Sequence, residues 1–366
     1  VSATPIPAPI PEARPTGTGR VRLPDARTLR HAVEYGAFRL VSGLLEPYPP
    51  ERNLQTAYRI ADLSGVLAPR RRARAVDNIR RSLPDLSNAD AEEIARASMR
   101  HMLGLFLVDA MVMPRMVREW SWPERARFTG FGEAMRLLSG REPCIFLTGH
   151  VGNWEFLGYL LGLLGFRMTA LARPLDNPFI SDWLFQARES SGLRVITKWG
   201  ATGEVQRILE SRGESGGKIG FIADQNAGDD GLFVPFFGRL ASSYKSIGLL
   251  ALHYRVPVVA GYAARLGDRF RYEVRVSDII RPEEWEAQPD PLFYLTARYA
   301  RALETMVREE PGQYLWIHRR WKSRPKHERE GKPMPERLRA KLASLPWMTP
   351  ELLASCALPL GEVPRR

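Results

Sequence analysis

The sequence predicts an α/β fold: a mostly parallel central sheet flanked by helices, preceded by a helical N-terminal region. Three observations carry this. From residue 142 onward, short apolar runs alternate with helical segments, the pattern of strand–helix–strand units. Before that point, the apolar residues recur at helical spacing. And polar residues follow three of the apolar runs directly, at the carboxyl ends of strands, where parallel sheets gather ligands.

Residues 1–25 are rich in Pro, Ala, Thr and Arg and have no apolar h-region, so they read as a disordered arm and not as a signal peptide. Residues 26–125 form the helical region. In 30–47, Glu34, Ser42 and Glu46 share one side, while Ala37, Phe38, Leu40, Val41, Leu44 and Leu45 spread over the rest. That pattern fits a packed helix or an interfacial helix lying in a bilayer surface. The run 69–81 carries Arg70, Arg71, Arg72, Arg74, Arg80 and Arg81: a solvated helix face, or a cradle for anionic headgroups. Ser87, Asn88 and Asp90 start a helix that continues through 91–115.

The α/β domain spans 126–325. Its strands fall at 144–148, 167–172, 194–197, 217–223, 256–262 and 271–276. Helices fit between them at 154–165, 177–191, 203–212 and 246–254, with another at 292–309. The remainder, 326–366, is a charged, proline-rich tail, partly helical to Leu345.

The net charge is +12, mostly from arginine. Such a field favours anionic partners such as nucleic acid, an anionic membrane or an acidic carrier protein. Nucleic-acid binding would need a recognisable module with exposed aromatics among the cations, and none is visible. The two cysteines, Cys144 and Cys356, offer neither a disulfide framework nor zinc spacing, so a reducing compartment is the default. No run reaches the roughly 18 apolar residues of a membrane span: 156–166 is too short, and 247–264 is broken by His253, Tyr254, Arg255 and Pro257. A lipid-directed protein of this composition would sit on the membrane rather than across it.

The segment His150-Val-Gly-Asn-Trp-Glu155 follows an apolar run and leads into a leucine-rich one, which reads as strand, turn, helix. On one continuous helix His150 and Glu155 would point about 140° apart. With His150 in the turn and Glu155 in the first helical turn they can meet, and Gly149 and Gly152 permit the turn. An ionised Glu155 near the helix N-terminus would fix the imidazole tautomer and raise its basicity, which suits proton removal from a hydroxyl. The same spacing fits a structural histidine capping a turn. No other histidine shows ligand spacing to His150, so no metal site is expected. Arg173 and Asp224 follow two further apolar runs, each in an unusual segment: Arg173-Pro-Leu-Asp-Asn-Pro178 and Ala223-Asp-Gln-Asn-Ala-Gly228.

These three segments, with Val234-Pro-Phe-Phe-Gly238 and Tyr314-Leu-Trp-Ile-His-Arg-Arg-Trp-Lys322, occur in an order and spacing that resembles the bacterial late acyltransferases of lipid A biosynthesis. Those belong with glycerolipid acyltransferases that share an H-x4-D/E motif. The resemblance implies transfer of a fatty acyl chain from an acyl-carrier-protein thioester to a glycolipid hydroxyl, with no acyl-enzyme and no cofactor beyond the thioester. Acyl-CoA as donor, with a phosphatidylinositol mannoside or another polar lipid as acceptor, is the alternative within the superfamily. It further implies His150 as general base with Glu155 as its orienting partner. Arg173 and Asp224 would shape the substrate site, and Asn153 and Gln225, inside the same motifs, are assigned to it. From their charge, Arg319, Arg320 and Lys322 are expected to meet phosphates. The implied partners are acyl carrier protein, the glycolipid and an anionic membrane surface. The implied location is the cytoplasmic face of the inner membrane, peripheral or monotopic, with residues 26–125 as the membrane-associating region.

Overall fold

The computed structural model describes residues 25–197, 201–211 and 217–358. The expected arm, apart from Asp25, lies outside the described residues, as do 359–366 of the tail.

The strands are β1 (Ala126–Thr129), β2 (Cys144–Thr148), β3 (Met168–Ala172), β4 (Arg194–Thr197), β5 (Lys218–Ile222), β6 (Leu232–Phe236), β7 (Arg239–Ser243), β8 (Val258–Arg265) and β9 (Tyr272–Ile280). Seven of them form one sheet in the order β1-β9-β8-β2-β5-β3-β4. Every neighbouring pair is parallel except β8 with β9, so the sheet is mostly parallel, as expected. β6 and β7 make a separate antiparallel hairpin.

The two central strands show why the sheet forms here. β2 (Cys-Ile-Phe-Leu-Thr) and β8 are buried along their whole length, as strands covered on both faces must be. Their side chains alternate between two separate cores. Ile145, Leu147, Val258 and Ala260 join the cluster beneath the helix Pro291–Glu309. Cys144, Phe146, Val259 and Ala263 join the one beneath the helix Trp154–Leu163. Both cysteines are free and buried, and burial pushes their thiols up, to about 11 for Cys144 and about 12 for Cys356.

The N-terminal third is helical, with helices at Ala26–Leu45, Pro50–Leu67, Pro69–Ser82 and Asn88–Gly104. Ser87 and Asp90 cap the last of these reciprocally. The single helix expected over 91–115 is broken: a π-turn occupies Leu105–Asp109 before helix resumes at Ala110–Met116. The extra residue in this turn accompanies an inward Asp109, which pairs with the buried Arg265 at the end of β8.

Helix Ala26–Leu45 docks by one face on the helix Pro178–Glu189, through Tyr35 on Phe179 and Phe38 on Trp183. Elsewhere on it Leu29, Val33, Leu40, Val41 and Leu44 are exposed. Among the described residues, no helix is long and apolar enough to cross a membrane.

Candidate active site

β2 and β5 are parallel neighbours in register, Thr148 opposite Ile222. The residues two places beyond each strand end are His150 and Asp224. There His150 Nδ1 lies 2.7 Å from Asp224 Oδ1. The carboxylate is buried and the imidazole nearly so, at 1% and 12% side-chain exposure. Burial alone would raise the pKa of Asp224, but the charge and hydrogen bond of His150, helped by His318, outweigh it and hold the group down at about 2. The carboxylate is therefore an anion at neutral pH. It accepts the Nδ1 proton, which leaves Nε2 with a lone pair.

The ring is also gripped on its faces. Trp154 packs edge-on at 4.8 Å between ring centroids and His318 at 4.9 Å. Burial, then His150 and Arg320, pull the pKa of His318 below its usual value.

Backbone pinning fixes the turn that carries His150. Leu315 N donates to His150 O, Gly152 N to Gln313 O and Asn153 N to Ala263 O. Gly152 has φ +60°, and a Cβ there would sit 2.2 Å from the Ala263 carbonyl oxygen, so only glycine fits. From behind, His101 places its Nε2 2.9 Å from Gly152 O, which makes that nitrogen the donor.

Burial, with the charge of Arg265, drives the pKa of His101 down from 6.5 to about 3. The unfolded chain takes up this proton below pH 6.5 and the folded one does not. Stability contributed by the neutral ring is thus complete above pH 6.5 and lost as pH falls toward 3. Urea midpoints measured between pH 7 and 5 should fall less steeply in His101→Gln than in the wild type. An equal slope would place the acid sensitivity elsewhere.

Several residues expected at the site hold other positions. Glu155 does not touch His150. It is buried in a bidentate pair with Arg188, at 2.8 Å and 2.6 Å, and accepts from Trp154 Nε1 at 3.1 Å. It reaches the imidazole only through the indole, and the carboxylate in contact with His150 is that of Asp224. Asn153 is fully buried and has no atom free for a ligand. Its Oδ1 caps the helix at Phe156 N, and its Nδ2 donates to Asp109 and to the Tyr272 hydroxyl. Arg320 is spent as a brace, donating to the carbonyls of Gln225 and Ser242 and to Ser243 Oγ. Gln225 is exposed, and its carbonyl holds that brace. Arg173 and Arg319 remain exposed. Arg173 follows β3, next to β5, on the same sheet edge as His150 and Asp224.

Three donors converge that no spacing in the sequence revealed: ligand atoms of His150, Asp224 and His318 lie within 4.8 Å of one another, close enough to hold a metal ion. The donor set suits a borderline cation. The His150–Asp224 contact is also at the length of a charge-assisted hydrogen bond, which the pair can make without a metal. Sequence reading singled out Asp224 but as a substrate residue, and it quoted His318 within a motif without a role. It missed Trp154 and Arg188 as supports, for which no local signal exists.

The model of the bacterial lipid A biosynthesis acyltransferase family matches residues 25–323. The chain is similar to the lipid A biosynthesis lauroyltransferase of Escherichia coli K12, 26% identical over 294 residues, covering 76% of this chain and 87% of that protein. It is equally similar to the palmitoleoyltransferase of the same organism, 26% identical over 286 residues with 76% and 87% covered. The myristoyltransferase is 23% identical over 306 residues, with 81% and 90% covered. A solved 1-acyl-sn-glycerophosphate acyltransferase from Thermotoga maritima aligns over 77% of this chain and 97% of its own, at TM-score 0.32 and 10% identity, too distant to argue from.

Proposed function

The chain belongs to the bacterial lipid A biosynthesis acyltransferase family and is an acyltransferase, and from that premise we propose that it moves a fatty acyl chain from an acyl-carrier-protein thioester to a hydroxyl of a lipid A precursor-like glycolipid. The observation that carries the mechanism is the His150–Asp224 pair at the carboxyl edge of β2 and β5.

His150 Nε2 takes the acceptor proton as the hydroxyl oxygen attacks the thioester carbonyl. The imidazolium that forms is stabilised by the buried Asp224 anion. Collapse of the tetrahedral intermediate breaks the carbon–sulfur bond, and His150 returns the proton to the departing thiolate. The products are the ester and a free thiol, with no acyl-enzyme and no cofactor beyond the thioester. Arg173, exposed on the same edge, is placed to meet the substrates.

The reaction belongs at a membrane surface on the cytoplasmic side, where thioester donors are made. In support, the apolar Leu40, Val41 and Leu44 are exposed on the first helix, and Arg70, Arg71 and Arg80 on the third. The net charge of +12 suits both an anionic bilayer and an acidic carrier protein.

The test mixes the purified chain with acyl-carrier-protein or CoA thioesters and with glycolipid acceptors in anionic vesicles, and follows lipid masses. The expected product is the lipid A precursor increased by one acyl chain, with the carrier-protein thioester as preferred donor. Acylation of a phosphatidylinositol mannoside alone, or of no lipid, would refute the reading.

A further inference from the structure

His318 is shared between the His150–Asp224 pair and a cavity of about 420 Å³, which lies between the helix Pro69–Ser82, Arg239 of the β6–β7 hairpin and the 318–322 segment. Six arginine or lysine side chains line this cavity against one carboxylate, Asp77, and that carboxylate is held by Arg81 at 2.8 Å. Arg320 is already used as a brace. Arg74 makes one long contact, 3.4 Å to Ile317 O. Among the described residues, no ion pair engages Arg239, Arg319 or Lys322.

Two donors here are buried and unanswered. Trp321 is 6% exposed, and its Nε1 has no hydrogen-bond partner. Arg239 lies on the Trp321 ring at 3.5 Å and donates to Ser82 Oγ, but its Nε is buried without a partner. A buried donor left unmade keeps its full desolvation penalty, so folded proteins retain few of them without a use. Burial, then the charges of Arg81 and Arg324, depress the guanidinium of Arg239 to about 9. The cavity is thus crowded with positive charge and short of the anion that would relieve it.

We propose that this cavity is a subsite for a phosphate ester, bound by Arg74, Arg81, Arg239, Arg319 and Lys322 with the Trp321 N–H. The inference rests on the acyl-transfer reading and deepens it, because both substrates of that reaction carry this group. The thioester donor has it in the phosphopantetheine arm, the glycolipid in its headgroup. Several cations around a small multivalent anion is the arrangement that phosphate recognition uses. Through His318 the subsite adjoins the catalytic imidazole, so a phosphate held here would fix one substrate relative to the base.

The test uses Arg319→Gln/Lys322→Gln, since both side chains are exposed and, among the described residues, neither makes an ion pair. In the first arm, inorganic phosphate is titrated calorimetrically into the protein alone at low ionic strength. The wild type should bind it, and the double variant about tenfold more weakly or worse, as expected for losing charge-assisted contacts. Absence of binding in the wild type, or equal binding in both, overturns the subsite. This readout needs no turnover, so its failure is separable from failure of the acyl-transfer reading.

The second arm names the source of the phosphate. KM is compared for thioesters of phosphopantetheine and of dephosphorylated pantetheine, and for the acceptor with and without its headgroup phosphate. The substrate seated here should lose its phosphate-dependent advantage in the double variant while kcat is kept. If removing either phosphate costs the same in wild type and variant, no substrate phosphate binds in this cavity and the proposal fails.

Discussion

Asp224→Asn should lower kcat by about 10⁴-fold while leaving the fold intact, the loss expected when the orienting carboxylate of a histidine base becomes an amide. An asparagine that turns its NH2 toward His150 Nδ1 forces the ring proton onto Nε2, and the lone pair that accepts the hydroxyl proton is gone. The buried anion that stabilises the imidazolium goes with it. His150→Ala should fall to a similar level, and the two losses should not add, because the residues act as one unit. Single-turnover acyl transfer, with circular dichroism as the check on folding, measures this. The 2.7 Å contact between the two side chains is the ground for it.

Glu155→Ala should act differently, through stability. Removing the carboxylate leaves the guanidinium of Arg188 buried without its partner, a change that costs about 3–5 kcal/mol when a buried pair is broken. It also frees the indole of Trp154, which packs against His150. Replacing both partners with apolar residues, as in Glu155→Leu/Arg188→Met, should recover most of that stability. Urea denaturation of the wild type and the two variants gives the answer. Full stability in Glu155→Ala, together with complete loss of activity, would mean that the carboxylate works on His150 directly.

The sequence reading set His150 and Asp224 at strand ends, which the sheet brings side by side, but it paired His150 with Glu155, which the structure sets against Arg188. The strands 144–148 and 194–197 were legible to the residue because a short apolar run bounded by turn residues has few other uses. Glu155 is near His150 along the chain, which made it the natural partner. Asp224 becomes the partner only when β2 and β5 lie side by side in register, and strand order is a property of the whole sheet. The same limit hid His318 and Arg188.

The hairpin of β6 and β7 is absent from the strands expected from the sequence for a local reason. Its two turn residues, Phe237 and Gly238, have φ of +52° and +65°. A turn of that kind normally announces itself with Asn or Asp before the glycine, and Phe gives no such signal. Pro235 within β6 further disguises the strand. The π-turn at Leu105–Asp109 is equally silent, because the sequence continues helically through it and only the buried Arg265 explains why Asp109 turns inward.

The proposed reaction acylates a glycolipid with His150 as base and Asp224 as its orienting carboxylate. The most direct measurement is the mass of the lipid product formed from an acyl-carrier-protein thioester by the wild type and by Asp224→Asn at equal folded concentration. A mass increase of one acyl chain is expected for the wild type and, over the same interval, essentially none for the variant. Product formed by Asp224→Asn at the wild-type rate would contradict it.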